Sequence, residues 1–168
     1  MSISINESGI TFGDFLDDDV FEIEKVLTGI DFGKGIYKVE FIFHNPSGNG
    51  KILLVEAKSS IPRESKEFFA EIRLKMIHSL TLWFTAVCGR HENITSFLPE
   101  SLKNSSQLIL PIHMCLVIPE VPDNMLPQFT DKFRACLSVE RKIWAIKYSD
   151  IMVLNKDKAR KYGLVDRV

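Results

Sequence analysis

The sequence has few of the residues that mark small domains held together by disulfides or zinc. Its 168 residues include only three cysteines, Cys88, Cys115 and Cys136, which lie far apart and form no CxxC pair. An odd number of scattered cysteines argues against a disulfide framework and against a zinc site, and it predicts reduced thiols in a reducing compartment. Internal repeats, Gly/Ser linkers and low-complexity tracts are also missing. We therefore expect one domain over residues 1–168.

Long hydrophobic runs and targeting signals are missing as well. The longest apolar run, 108–119, is interrupted by His113, whereas a membrane-spanning helix needs about 18 or more apolar residues. The first segment, MSISINESGITF, has neither a basic residue nor an apolar centre, so it does not resemble a signal peptide. The sequence predicts a cytoplasmic protein with no membrane segment.

A strong charge of either sign is absent, since 21 basic residues balance 22 acidic ones. This balance argues against a protein that coats nucleic acid by charge alone. The charges are unevenly placed, however: residues 1–31 hold eight acids and one lysine, and residues 132–168 hold ten basic residues and four acids. One end of the chain could therefore carry a cation while the other faces phosphates.

The hydrophobic periodicity changes several times along the chain and predicts an α/β domain. In order, it predicts a helix through Val20, Ile23, Leu27 and Ile30, strands over 36–44 and 52–55 joined as a hairpin, a long helix over 66–88, a strand over 107–118, a helix over 128–137, a strand over 150–154 and a short helix over 156–162. This order predicts a mixed central β-sheet flanked by helices.

The second strand of the hairpin ends in charged residues, and these are the first candidates for a site. Glu56 and Lys58 are two residues apart and so point to the same face of the strand. If the turn is centred on Gly48, Glu40 lies directly opposite Glu56, at a spacing where like charges destabilise a sheet. Two such carboxylates need a shared proton, a neighbouring cation or a metal ion. A hard divalent cation suits oxygen ligands best.

A third acid is placed near this pair by helical periodicity. Glu24 flanks the predicted buried face of the first helix and could reach the edge of the sheet, whereas Glu22 is expected to face solvent. A solvent-exposed helix face explains Glu24 equally well. An ion pair at the end of a strand is the corresponding alternative for Glu56 and Lys58.

The order of the predicted elements resembles that of the PD-(D/E)XK, or restriction-endonuclease-like, nuclease superfamily. In this order, a helix is followed by a strand with an acid, a strand with Glu-x-Lys and then a long helix. The segments that carry the resemblance are Ile23-Glu24-Lys25, Val39-Glu40-Phe41 and Val55-Glu56-Ala57-Lys58-Ser59-Ser60. They also resemble uncharacterised small bacterial members of this superfamily. One departure is the leading acid, which in that superfamily is usually an aspartate that often follows proline. The resemblance covers most of the chain and implies a restriction-endonuclease-like core of helix, β-hairpin, helix, strand, helix and strand.

The resemblance also implies a chemistry for these residues. Glu40 and Glu56 would hold Mg²⁺ or Mn²⁺, with Glu24 as an accessory acid. Lys58 would position or activate the attacking water and stabilise the charge that develops on the phosphate. The implied activity is metal-dependent hydrolysis of phosphodiester bonds in DNA, in preference to RNA.

The sequence leaves further contacts and a second function open. Ser59, Ser60, Arg73 and Lys75 could contact a nucleic acid, although a polar strand exit and a solvated helix face explain them as well.

The second function is that of a nuclease-fold subunit without cleavage activity. Such a subunit would bind nucleic acid or a protein partner in a bacterial assembly, for example one that defends against foreign DNA. The near-neutral charge favours this second function in part, because a nuclease with no separate DNA-reading domain needs a homodimer or a partner protein to find its substrate. A purely structural or small-molecule-binding domain, with the glutamates in a surface ion network, is the third hypothesis.

Overall fold

The computed structural model of the chain describes residues 1–32 and 34–165. The strands are β1 (Ser2–Glu7), β2 (Ile10–Leu16), β3 (Val20–Phe21), β4 (Phe41–Asn45), β5 (Lys51–Ala57), β6 (Ile112–Val117) and β7 (Ile151–Leu154). The α-helices are α1 (Ile23–Leu27), α2 (Lys66–Val87), α3 (Glu92–Thr95), α4 (Glu100–Lys103), α5 (Leu126–Cys136), α6 (Ser138–Ile143) and α7 (Lys156–Lys161).

Five of the strands form a mixed sheet in the order β3-β4-β5-β6-β7. Strand β4 is antiparallel to both β3 and β5, and β6 and β7 run parallel to β5. The parallel pairs need crossover connections, which α2 and then α5 and α6 provide. The predicted fold class, a mixed sheet flanked by helices, is confirmed at this level.

Strand β5 lies at the centre of the sheet and is covered on both faces. Ile52 and Leu54 point into a core that includes α2, whereas Leu53 and Val55 point into a second core on the opposite face. All four residues are fully buried. This two-sided burial explains why the strand is apolar at consecutive positions, and it confirms the interpretation of residues 52–55 as a covered strand.

The second core is closed by a hairpin that the periodicity analysis did not predict. Strands β1 and β2 pair in an antiparallel hairpin, and Phe12 and Phe15 pack their rings against Phe41. The turn between the strands holds Ser8 and Gly9 at positive φ of 49° and 79°. This conformation is typical of tight hairpin turns whose twist matches that of the flanking strands.

Three other predicted elements are wrong in extent. The predicted helix through Val20 and Ile30 contains only α1, because Val20 pairs with Phe43 as part of β3. The predicted strand over 36–44 begins only at Phe41. Residues 105–109 form a 3₁₀ helix, so the predicted strand over 107–118 is restricted to β6. Pro111 precedes β6 and has no N–H to donate to a strand ladder.

The outer edge of the sheet at β7 is covered by helix α5. The Thr130 hydroxyl accepts a hydrogen bond from the backbone N–H of Val153 at 3.2 Å. Arg134 donates from Nε to the carbonyl oxygen of Ile151 at 2.9 Å. Side chains of α5 therefore take the place of a further strand beside β7.

Helices α2 and α5 are the longest of those that the structure describes. In the ranges 1–32 and 34–165, none of the helices has the length and hydropathy needed to cross a membrane.

Candidate functional site

The β4–β5 hairpin brings two glutamates to the same end of the sheet. Phe41 pairs with Val55 and Asn45 with Lys51, which is the register that a turn centred on Gly48 predicts. Continuing this register by one residue places Glu40 beside Glu56. The predicted register is therefore confirmed over 41–45 and 51–55, and the charge of Glu56 acts on the carboxyl group of Glu40, which precedes β4.

Glu56 is fully buried, with none of its surface exposed to solvent. It lies on the face of β5 that packs against α2, and its Oε1 atom is 2.8 Å from Lys75 Nζ and 3.1 Å from Lys58 Nζ. Oε1 nevertheless accepts no well-aligned hydrogen bond, and among the residues that the structure describes Oε2 has no hydrogen-bond partner at all. A buried carboxylate oxygen without a partner is costly, so this position calls for an explanation other than stability.

Lys58 reaches Glu56 from the end of β5, as the sequence predicts for two residues on one face. Its side chain keeps 30% of its surface exposed. Ser59 and Ser60 follow it and are exposed. Lys58 therefore joins the buried carboxylate to the protein surface.

Lys75 lies where neither interpretation of the sequence places it. A nucleic-acid contact and a solvated helix face both require an exposed side chain, but only 7% of the surface of Lys75 is exposed. Its Nζ atom lies between Glu56 Oε1 at 2.8 Å and Glu24 Oε1 at 3.7 Å. Its position therefore gives no support to a contact with a nucleic acid, and the residue joins Glu56, Glu40, Glu24 and Lys58 in what we call the Glu56 cluster.

Glu40 is held largely in its protonated form at neutral pH. Burial, the charges of Glu56 and Glu24, a hydrogen bond with Glu24 and the charge of Glu7 together raise the pKa of Glu40 from 4.5 to about 8. Each of these effects disfavours a further negative charge at this place. Glu24 therefore belongs to the site, as one of its two predicted interpretations requires.

The charges of Glu56 and Lys75 depend on each other. Burial raises the pKa of Glu56, while Lys75 and Lys58 act in the opposite direction without cancelling the effect of burial. Burial alone would lower the pKa of Lys75, but the carboxyl groups of Glu56, Glu24 and Glu40 outweigh it and raise the pKa. Lys75 is therefore firmly cationic at neutral pH, and it supplies the nearest positive charge to Glu56.

An open cleft of about 320 Å³ lies beside Glu40. Its walls come from β1, from the N-terminal end of α1 and from the residue before β4. The lining residues are Ile5, Glu7, Glu22, Glu24, Lys25 and Glu40. The cleft thus gathers four acids, of which Glu22 is paired with Lys25 at 3.0 Å. Glu7 comes from the hairpin that the sequence analysis did not predict. The alternation in Ser2–Glu7 and the Ser8-Gly9 turn are the signals that could have found it.

Arg73, one of the predicted nucleic-acid contacts, lies apart from the Glu56 cluster. Its guanidinium forms an ion pair with Glu140 of α6. The hydrogen bond to Glu140 and the negative charge of Glu140 raise the pKa of Arg73. The pair joins α2 to α6. Contact of Arg73, Ser59 or Ser60 with a nucleic acid stays a prediction.

The carboxyl groups of the Glu56 cluster are close together, but Lys75 stands among them. In residues 1–32 and 34–165, no group of three or more His, Cys, Asp or Glu side chains is arranged to hold a metal ion. The predicted metal ligands are therefore near one another without forming a complete coordination shell.

Comparisons of the chain with models of protein families, with curated proteins and with solved structures give no match. The resemblance to the PD-(D/E)XK superfamily therefore rests on the quoted residues alone. What the structure adds is the mixed sheet with flanking helices and the geometry of the Glu56 cluster.

Proposed function

We propose that the protein is a metal-dependent phosphodiesterase that cleaves nucleic acid, DNA in preference to RNA, at the Glu56 cluster. The proposal includes a restriction-endonuclease-like core, built from α1, the β4–β5 hairpin, α2, β6, α5 and β7. It also includes a homodimer or a partner protein that helps the enzyme to find its substrate.

One observation carries the proposal: Glu56 is fully buried and its Oε2 atom has no partner among the described residues. A protein that needed only stability would fill this place with apolar side chains, since desolvating a buried ion pair often costs as much free energy as the pairing returns. Such residues persist mainly where function requires them. The charge of Glu56 also acts on Glu40, whose pKa is raised to about 8 by burial first and then by the neighbouring carboxyl groups of Glu56 and Glu24.

The chemistry of these residues fits a hard divalent cation. Oε2 of Glu56 and the carboxyl group of Glu40 would hold Mg²⁺ or Mn²⁺, with Glu24 as the accessory acid. When bound, such an ion supplies a hydroxide-like water near neutral pH and neutralises charge on the phosphate. Glu40 must lose its proton for this role, so cation binding would release a proton.

Lys58 has the position expected of a residue that meets the substrate. It is partly exposed at the end of β5 while its ammonium stays 3.1 Å from Glu56. From there it would orient the attacking water and donate hydrogen bonds to the phosphate oxygens as negative charge develops.

A second candidate function is a nuclease-fold subunit without cleavage activity, which binds nucleic acid or a protein partner. The absence of a three-acid metal group within residues 1–32 and 34–165 favours it. A relative that had lost its cation would need another positive charge beside Glu56, and Lys75 supplies one.

The deciding experiment combines Mn²⁺ binding with cleavage. Calorimetry would measure Mn²⁺ binding to the wild type and to Glu56→Gln, with circular dichroism as the control for folding. Supercoiled plasmid, linear DNA and single-stranded RNA would be incubated with Mg²⁺, with Mn²⁺ and with a chelator. Glu100→Gln is the matched control, since Glu100 is 80% exposed and pairs only with Lys103 among the contacts described.

The proposed function predicts binding and cleavage in the wild type and in Glu100→Gln, and neither in folded Glu56→Gln. A folded wild type that binds no Mn²⁺ and cleaves none of the substrates would overturn it. Retention of DNA by that inactive protein in a gel-shift assay would support the second candidate instead.

A further inference from the structure

The ammonium group of Lys75 lies at the centre of the carboxyl groups that form the Glu56 cluster. It is 2.8 Å from Glu56 and 3.7 Å from Glu24, and Glu40 also stabilises it once the Glu40 carboxyl group has lost its proton. All three predicted metal ligands therefore act on one lysine. A cation shared by several carboxylates is the arrangement that a second metal ion has in two-metal phosphodiesterases.

We propose that Lys75 takes the place of a second cation, so that the site binds a single divalent ion on the free Oε2 side of Glu56. This inference rests on the proposed function, since it concerns the number of ions that the same site takes. Lys75 is a positioning residue in this arrangement, because it holds Glu56 and touches no substrate.

The two lysines of the cluster differ in a way that sets their roles apart. Both contact Oε1 of Glu56, but only Lys75 also reaches Glu24. The side chain of Lys75 is 9% exposed, whereas that of Lys58 is 30% exposed. Lys58 can therefore leave Glu56 to meet a phosphate, but Lys75 is enclosed between β5, α1 and α2.

The two carboxylate oxygens of Glu56 differ in their contacts, and this difference supports the same conclusion. Oε1 has two ammonium groups within 3.1 Å, whereas Oε2 has no partner in the part of the chain that the structure describes. A divalent ion competes with cations for Oε1 but meets none at Oε2. An ion at the enclosed Oε2 would therefore not compete with Lys75 for its place.

The test is the number of Mn²⁺ ions bound per chain, measured by calorimetry and by equilibrium dialysis with metal analysis. We expect one ion in the wild type and two in Lys75→Met, because the Met side chain removes the charge and leaves Glu24 and Glu56 to share an ion. Lys58→Met is the matched control: it removes the same charge from the same oxygen of Glu56 but should keep one ion. Lys75→Arg retains the cation and should also keep one ion.

Lys75→Met removes the nearer of the two ammonium groups that compensate the buried charge of Glu56. Its folding is therefore checked by circular dichroism and by thermal melting with and without Mn²⁺. We expect its Tm to rise more on addition of Mn²⁺ than the Tm of the wild type, because the ion replaces the lost ammonium. Lys75→Gln, which keeps a polar side chain, serves as the second variant if Lys75→Met does not fold.

Two ions in the wild type, or one ion in folded Lys75→Met or Lys75→Gln, would overturn the inference and leave the proposed function intact. A second ion in Lys58→Met as well would also overturn it, because the gain would then follow from net charge alone. A wild type that binds no Mn²⁺ counts against the proposed function instead. In that case a gain of one ion in Lys75→Met would still support Lys75 as the stand-in for a cation, and no gain would refute it.

Discussion

Strands β5 and β6 carry a cluster of polar side chains at each end, and the two clusters are built differently. At the end opposite to the Glu56 cluster, the His113 cluster consists of His113, Tyr162, Asp150 and Lys51. The His113 ring is hydrogen-bonded to the Tyr162 hydroxyl, and its other nitrogen is 3.7 Å from Asp150. The Lys51 ammonium lies 4.4 Å from the centre of the Tyr162 ring.

The two clusters differ in how completely their polar atoms are paired. Among the residues described, the buried side-chain oxygens and nitrogens of the His113 cluster have hydrogen-bond partners, whereas Oε2 of Glu56 has none. Burial lowers the pKa of His113, so its ring is neutral at neutral pH and adds no uncompensated charge. The comparison separates two uses of buried polar groups. Those of the His113 cluster are paired and hold elements together, whereas Glu56, like Glu140 of α6, keeps one oxygen without a hydrogen-bond partner.

The largest effect that this comparison predicts is the loss of cleavage activity when the charge of Glu56 is removed. We expect Glu56→Gln to slow DNA cleavage about 1,000-fold, because the amide has nearly the same shape but cannot hold a cation by charge. His113→Asn should change the rate less than about threefold. Single-turnover cleavage with Mg²⁺ measures both variants, and equal losses in the two would break the comparison.

The next largest effect is expected on stability when Lys75 is removed. Lys75→Met should lower the free energy of unfolding by about 3 kcal/mol without divalent cations, since it leaves the buried Glu56 carboxylate with only the partly exposed Lys58 as a partner. The double variant Glu56→Leu/Lys75→Met should recover most of this loss, because it removes the charges together. Urea denaturation measures both, with Lys103→Met as the surface control. A double variant as unstable as the single one would show that the pair is a net source of stability.

A smaller effect sharpens the comparison through pH. The folded state holds the Glu40 proton more tightly than the unfolded chain, with a pKa of about 8 against 4.5. The stability that this proton contributes is therefore fully present below about pH 4.5, and it is lost as the pH rises through about 8. Glu40→Gln should match the wild type near pH 5. At pH 9 it should be more stable by about 2 kcal/mol, after allowance for the solvent that screens a half-buried group.

Urea denaturation at intervals from pH 5 to pH 9 tests this dependence. Glu100→Gln is the control, because its carboxyl group is exposed and should leave the difference from the wild type independent of pH. A constant difference between Glu40→Gln and the wild type would contradict the raised pKa of Glu40.

The smallest effect concerns the His113 cluster itself. Tyr162→Phe removes one hydrogen bond and should lower the free energy of unfolding by about 1 kcal/mol. It should leave cleavage and Mn²⁺ binding unchanged, because it lies at the other end of the strands. A change in either would show that the two ends of the sheet are coupled.

The elements with strong local signals were predictable from the sequence. The Gly48 turn and the alternation around it predict the β4–β5 register, and with it the approach of Glu40 to Glu56. The long helix over 66–88 agrees closely with α2, Lys66–Val87, because its apolar residues repeat at steps of three and four. These features depend on residues that are near one another in the chain.

Features that depend on distant contacts were not predictable in the same way. Val20 belongs to β3 because it pairs with Phe43, a partner that helical periodicity cannot anticipate. Lys75 is buried because Glu56 and Glu24 lie beside it. The positions of the apolar residues along α2 nevertheless indicate this burial. On a helical projection Lys75 falls between Ile72 and Leu82, which are both buried.

The hydrogen bonds that Thr130 and Arg134 make to β7 have a consequence for how copies of this protein can associate. An open edge strand offers unpaired amides and carbonyls to any extended peptide, and it is a common starting point for fibrils. Here Val153 and Ile151 are already engaged by α5. Growth of the sheet by strand addition is therefore blocked at this side, and a partner or second copy that docks there must do so through side chains.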